Sequence, residues 1–218
     1  MRVAIVDYGM GNLDSVSRAV EECGGRPLVT SDPRDLTAAA AVILPGVGAF
    51  AKGMQNIRER GLDEILVDDV ARNGVPFLGL CLGMQLLATE GSEGDHSPGL
   101  GLVRGRVERI NVPGLRVPHI GWNEVHQTRE HPLFRSIPSG ADFYFVHSYV
   151  LRCKDPDDVI ATVPYGEDLV AGVARGTVAG LQFHPEKSQR MGFQLLRNFL
   201  ESAVRKTEPE LTFSAPRG

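Results

Sequence analysis

In VPFLGLCLGMQLL, residues 75–87, an apolar run gives way to helical spacing, and a cysteine stands at the change between two glycines. Val75 to Leu80 is short and carries no charge, which suits a strand covered on both faces. A helix follows, read as MQLLATE, so Cys81 falls just beyond the carboxyl end of a central strand. A nucleophile on a tight strand-to-helix turn needs small neighbours, because the backbone there is strained and passes close to adjoining strands. Gly79 and Gly83 provide that space. A helix beginning near Gly83 would aim free amides and its positive end at the sulfur, favouring the thiolate. It would also leave the amide of Leu82 free to bind an oxyanion. A small buried cysteine in a glycine-containing turn fits the same letters, so the rest of the chain has to decide.

Upstream, the chain alternates strand with helix: RVAIVDYG, NLDSVSRAVEECG closing on Gly24 and Gly25, RPLVTSD, then AAAAVILPG. GMQNIRERGLDEILVDDVARNG is a further helical stretch, interrupted near Gly61. Downstream of the turn-rich GSEGDHSPGLG, the texture changes to short alternating runs, GLVRGRVERI, LRVPHIGWNEV, ADFYFVHSYVL and DVIATVPYG, split by Pro, Gly and Asp. LVAGVARGTVAGLQFHPEKS reads as two strands around ARGT, the second ending in HPE. GFQLLRNFLESAVRK is an amphipathic closing helix. The expectation is one α/β domain over residues 1–205. It has a central, largely parallel sheet flanked by helices, a smaller antiparallel β portion in the second half, and a loosely held tail at 206–218.

A chain of 218 residues, 42% hydrophobic, can bury a large core. Its net charge of −4 leaves no basic excess to neutralise phosphate backbones, so nucleic acid is not an expected partner. The apolar run in MRVAIVDYGMGN is too short, and AAAAVILPGVGAFA too broken, for a secretion signal or a membrane span. Cys23, Cys81 and Cys153 are an odd count without disulfide or zinc spacing, which fits a reducing compartment. The expected location is the cytoplasm, with no membrane association.

A thiolate in acyl transfer needs a base that later protonates the leaving amine, and the base needs an orienter. HPE supplies both, His184 as base and Glu186 as orienter, since residues i and i+2 of an extended segment point the same way and Pro185 stiffens the link. A strand-end histidine beside a solvated carboxylate is the plainer reading of HPE alone. LPGVG, residues 44–48, ends another apolar strand, and its glycines permit peptide orientations that would present a second amide to the oxyanion. In YGMGN, residues 8–12, the third glycine of a dinucleotide fingerprint would fall at Asp14, which rules out a nicotinamide site.

Together LPGVGAF, GLCLGMQLL, VPHIGWN, YFVHSY and GLQFHPEKS resemble the class I glutamine amidotransferases, and within them the glutaminase subunits of imidazole glycerol phosphate synthases. The resemblance runs from DYGMGN to the final helix. It implies the amidotransferase fold, a nucleophile at Cys81, a base at His184, an orienting acid at Glu186, and an oxyanion hole from Val47 and Leu82 that a turn of the Val47 peptide completes. It implies that glutamine lies against Gly48, Leu82 and Gln85 and along His147, Ser148 and Tyr149. No metal or organic cofactor is implied. The implied activity is hydrolysis of L-glutamine to glutamate and ammonia through a cysteine thioester. The ammonia would go to a (β/α)8-barrel cyclase subunit, in a heterodimer that makes imidazole glycerol phosphate and aminoimidazole carboxamide ribotide in histidine biosynthesis. Asn12, Trp122 and Lys187 match family positions facing that partner, and Tyr144 one near the ammonia exit.

The alternatives are the glutaminase of pyridoxal phosphate synthase, against which PGVG and PHIGWN speak, a catalytically silent partner-binding scaffold, and a cysteine peptidase. Among the remaining residues, His96, His126 and His131 read as solvated, His119 as structural, and Cys23 and Cys153 as inert. Core packing competes with the interface for Trp122, and a solvated position opening the last helix competes for Lys187.

Overall fold

Alternation of apolar runs with helical spacing lays down a parallel sheet one strand at a time. The structure, a computed structural model of the chain, describes residues 1–93 and 96–207. In chain order, β1 (Arg2–Val6), α1 (Leu13–Glu22), β2 (Arg26–Thr30), α2 (Pro33–Thr37), β3 (Ala41–Leu44), α3 (Phe50–Glu59), β4 (Phe77–Leu80) and α4 (Leu82–Leu86) form the first half. All of β3 and β4, and all of β1 after Arg2, is buried. Successive strand residues face opposite ways, so both faces of this sheet are covered. Asn12 caps α1 by accepting the Ser15 amide at 3.2 Å, and the chain leaves that helix through Gly24 at φ 87°. The helical spacing interrupted near Gly61 resolves into α3 and a π-helical segment, Ile65–Ala71.

The second half contributes β5 (Glu90–Gly91), β6 (Ser97–Pro98), β7 (Gly105–Arg109), β8 (His119–Gln127), β9 (Ala141–His147), β10 (Tyr149–Cys153), β11 (Val159–Pro164), β12 (Asp168–Arg175), β13 (Val178–Leu181) and α5 (Gln189–Thr207). Nine strands make one mixed sheet in the order β2-β1-β3-β4-β13-β12-β11-β8-β9. It is parallel as far as β13 and antiparallel from there on. Strand β13 lies in register beside β4, Leu181 opposite Leu80, so the segment leading to His184 is the immediate neighbour of the one leading to Cys81. A second sheet, β10-β7-β5-β6, covers one side. The run ADFYFVHSYVL is divided between the two sheets, with Ser148 at the crossing.

Three boundaries differ from the sequence reading. Helix α4 has five residues, and Glu90 already belongs to β5, because Leu86 to Ala88 turn to meet Leu100, Gly101 and Val103 through backbone hydrogen bonds. Strand β13 stops at Leu181, and Pro185–Lys187 is a 3-10 turn. The closing helix begins earlier, at Gln189, and runs to Thr207; the rest of the expected tail, 208–218, lies outside the described residues. Among the described residues no helix is long and apolar enough to cross a membrane.

Candidate active site

Cys81 occupies the turn between β4 and α4 with φ 52° and ψ −108°. A side chain other than glycine is strained at such a φ, by about 1 to 3 kcal/mol. The turn is held by Cys81 N–H on Leu181 O at 2.8 Å and Gln85 N–H on Cys81 O at 3.2 Å. The flanking glycines are explained by proximity rather than by their own dihedrals. A Cβ on Gly79 would lie 2.6 Å from Gly83 O, and one on Gly83 would drive into the carbonyl oxygen of Leu44 on β3. Since α4 has only five residues, its dipole adds little, and the sulfur is served by individual groups instead. Gln182 Nε2 points at it from 3.8 Å, and the thiol faces Val146 O at 3.9 Å.

His184 is 3% exposed, its Nδ1 2.8 Å from Glu186 Oε1. With a carboxylate accepting at Nδ1, one proton stays there, and Nε2 is the nitrogen left to exchange the second. That Nε2 is buried without a hydrogen-bond partner among the described residues. Burial alone would lower the imidazole, but the sulfur of Cys81 and the carboxylate of Glu186 outweigh it and hold it up at about 9. The expectation that an extended i, i+2 pair brings Glu186 to the ring is corrected: only His184 is extended, and the 3-10 turn carries Glu186 back to it. Two bonds anchor that turn to β9, His184 N–H on Tyr144 O at 3.0 Å and Tyr144 N–H on Ser188 Oγ at 3.0 Å.

A cleft of about 450 Å³ opens over the sulfur. Val47, Gly48, Leu82, Gln85, His147, Ser148 and Tyr149 line it together with Cys81. His147, however, is turned into the wall. Its Nδ1–H donates to Tyr149 O at 2.8 Å, and its Nε2 meets His119 Nδ1 at 3.0 Å. His119 stacks between Phe145 and Tyr165, and burial pushes both imidazoles down to about 4, so they are neutral at pH 7. Gln85 likewise spends its amide on Tyr149 O and Gln182 Oε1, each at 3.0 Å.

Two residues escaped the sequence reading. Gln182 is fully buried and links Gln85 to the sulfur; a polar residue in the apolar run GLQF, two positions before the base, was its signal. Glu93 is the one charged side chain among the described cleft residues, and its Oε2 accepts the Phe50 amide at the start of α3 at 2.7 Å. Nothing in GSEGDHS distinguishes it from its acidic neighbour. Among the described residues no group of three His, Cys, Asp or Glu side chains could hold a metal.

Three of the four residues assigned to a partner surface meet outside the cleft. Trp122 is 48% exposed and lies edge-on to Tyr144 at 6.1 Å, and Lys187 Nζ stands 5.9 Å from the same ring. Asn12 is exposed and caps α1. Of the histidines read as solvated, His131 is instead half-buried and caps the 3-10 turn Pro132–Phe134.

The family profile described as glutamine amidotransferase class-I matches residues 4–203. The chain belongs to the class I glutamine amidotransferases. A curated relative of this amidotransferase, imidazole glycerol phosphate synthase subunit HisH of Moorella thermoacetica, is 49% identical over 91% of the chain and 94% of its own length. The HisH 2 subunit of Nitrobacter winogradskyi is 47% identical over 92% and 98%. A solved glutamine amidotransferase shares the fold with a TM-score of 0.73 at 23% identity, covering 93% of this chain and 98% of its own. One from Thermotoga maritima does so with a TM-score of 0.68 at 19% identity, covering 94% and 98%.

Proposed function

We propose that this amidotransferase is the glutaminase subunit of an imidazole glycerol phosphate synthase. The observation that carries the reading is the convergence of Cys81, His184 and Glu186 at the ends of adjacent strands, in a chain nearly half identical to HisH subunits over nine-tenths of its length.

In the reaction His184 Nε2 takes the thiol proton and the sulfur of Cys81 attacks the side-chain carbonyl carbon of glutamine. The tetrahedral oxyanion is held by the amides of Leu82 and Val47. As the C–N bond breaks, the imidazolium returns its proton to the leaving nitrogen and ammonia departs, leaving a γ-glutamyl thioester. Water, deprotonated by His184, then attacks the thioester carbonyl, and the released sulfur recovers its proton as glutamate forms. Glu186 keeps the imidazole oriented and offsets its charge. Gly48, Gln85 and the backbone of His147, Ser148 and Tyr149 border the substrate, and Glu93 supplies the negative charge that an α-ammonium group seeks.

Ammonia released into bulk water would be protonated and diluted, so it passes directly to a cyclase partner, a (β/α)8 barrel docked on the face bearing Trp122, Tyr144 and Lys187, with Asn12 at its edge. There it serves formation of imidazole glycerol phosphate and aminoimidazole carboxamide ribotide in the cytoplasm. Incubating the chain with the cyclase subunit encoded in the same genome, its nucleotide substrate and glutamine should release glutamate. No glutamate from that complex would leave the scaffold reading in its place.

A further inference from the structure

Tyr8 is the middle residue of the DYG segment after β1, its ring fully buried and its hydroxyl without a hydrogen-bond partner among the described residues. Asn56 fixes its backbone by donating to Tyr8 O at 3.0 Å. Burial, with the charge of Cys81 behind it, pushes the phenol far up, so the group is always a neutral donor. An orphaned buried hydroxyl is costly, and its neighbours bear on why it is kept. It lies against Gly46, which has room for no side chain: a Cβ there would collide with the Tyr8 oxygen and approach Leu82 Cβ to 2.9 Å.

The Gly46 carbonyl at present accepts the Leu82 amide at 3.3 Å. Leu82 N–H is therefore engaged by the chain itself. The Gly46 carbonyl and the Val47 amide belong to one planar trans peptide, so they point in opposite directions. While the carbonyl faces Leu82, the Val47 N–H faces away from it. One half-turn of this peptide, a change in Gly46 ψ and Val47 φ, frees the first donor and delivers the second, and Gly46, without a Cβ, supplies torsional freedom on its side. The same half-turn strips the buried carbonyl of its only donor among the described residues.

We propose that the Tyr8 hydroxyl receives the displaced Gly46 carbonyl, donating to it in the turned state, so that Tyr8 is a positioning residue of the oxyanion hole. The proposal rests on the reading of Val47 and Leu82 as oxyanion donors. It explains together an orphaned donor, an acceptor about to lose its partner, and a glycine between them.

The test is Tyr8→Phe in the full chain bound to its cyclase subunit, with cyclase substrate present. The variant keeps the ring and deletes one oxygen. Stimulated kcat should fall about tenfold, as for loss of one buried hydrogen bond formed only in the active state. KM for glutamine and the alkylation rate of Cys81 should be unchanged. The melting temperature should hold or rise, because the resting state loses an unpaired polar atom. A kcat within about twofold of wild type would overturn the proposal, as would a drop in melting temperature with a proportionate loss of Cys81 alkylation, which marks a packing role. If the wild-type complex itself released no glutamate, the functional reading would fall first, and this proposal with it.

Discussion

In the proposed reaction His184 has to take a proton and give it up within one turnover, and its two ring nitrogens face opposite tasks: Nδ1 is committed to Glu186, and Nε2 has no hydrogen-bond partner among the described residues. Replacing Glu186 by Gln should lower glutamate release by the complex about 100- to 10,000-fold while leaving the fold and the thiol in place. His184→Asn should cost more, because base and leaving-group acid vanish together. The double variant should be hardly worse than His184→Asn, since members of one triad act as a unit; if the losses multiplied, the carboxylate would be working outside it. The raised pKa has a sign that can be read in stability. A group whose folded pKa of about 9 exceeds its ordinary 6.5 adds stability that is complete below about pH 6.5 and is lost as pH rises through 9. Urea unfolding of wild type and Glu186→Gln should therefore show a gap at pH 6 that shrinks by pH 10. NMR titration should find the His184 midpoint lower in the variant. At this scale the sequence shows Cys81, His184 and Glu186 because reactive side chains announce themselves by type and spacing. It conceals Gln182 and Glu93, whose interest comes only from what folding brings beside them.

Turns and short helices carry the site, and here spacing informs less. Strands β1, β3 and β4 are legible because four buried residues in a row have few other uses. The length of α4 was not, since its end is set by hydrogen bonds to residues 100–103, and the 3-10 turn at Pro185 depends on Ser188 and Tyr144 gripping it from both sides. The glycines of GLCLG are legible for a reason that can be tested. Gly83→Ala has to push α4 away from the Leu44 carbonyl. It should destabilise the chain by about 3 kcal/mol in urea unfolding, and lower Cys81 alkylation because the elbow shifts. An alanine tolerated at that position would mean that the close packing of α4 on β3 is not what demands glycine.

Across the whole molecule, hydrolysis and use of ammonia belong to different chains. Cys81→Ser should abolish glutamine-dependent synthesis by the complex yet leave ammonia-dependent synthesis nearly intact, and near-normal glutaminase turnover in it would sink the nucleophile assignment. The chain alone should hydrolyse glutamine slowly, because Leu82 N–H is occupied by Gly46 O; partner and nucleotide together should raise the rate about 100- to 1,000-fold, the worth of an oxyanion donor. Full activity in the purified single chain would contradict this. The parallel sheet was legible as a class, and the continuous antiparallel extension was not, because nothing in β8, β9, β11 or β12 states which neighbour each will choose. That choice has a consequence in time. β4 and β13 touch along their length, yet residues 81–177 are made between them. A growing chain therefore carries its thiol through that whole stretch without Gln182, His184 or Glu186 beside it, and long-range closure of this kind is slow. Birth order thus acts as a safety catch: an unfinished or truncated molecule holds an ordinary cysteine, and the capacity to release ammonia arrives only with the last strand.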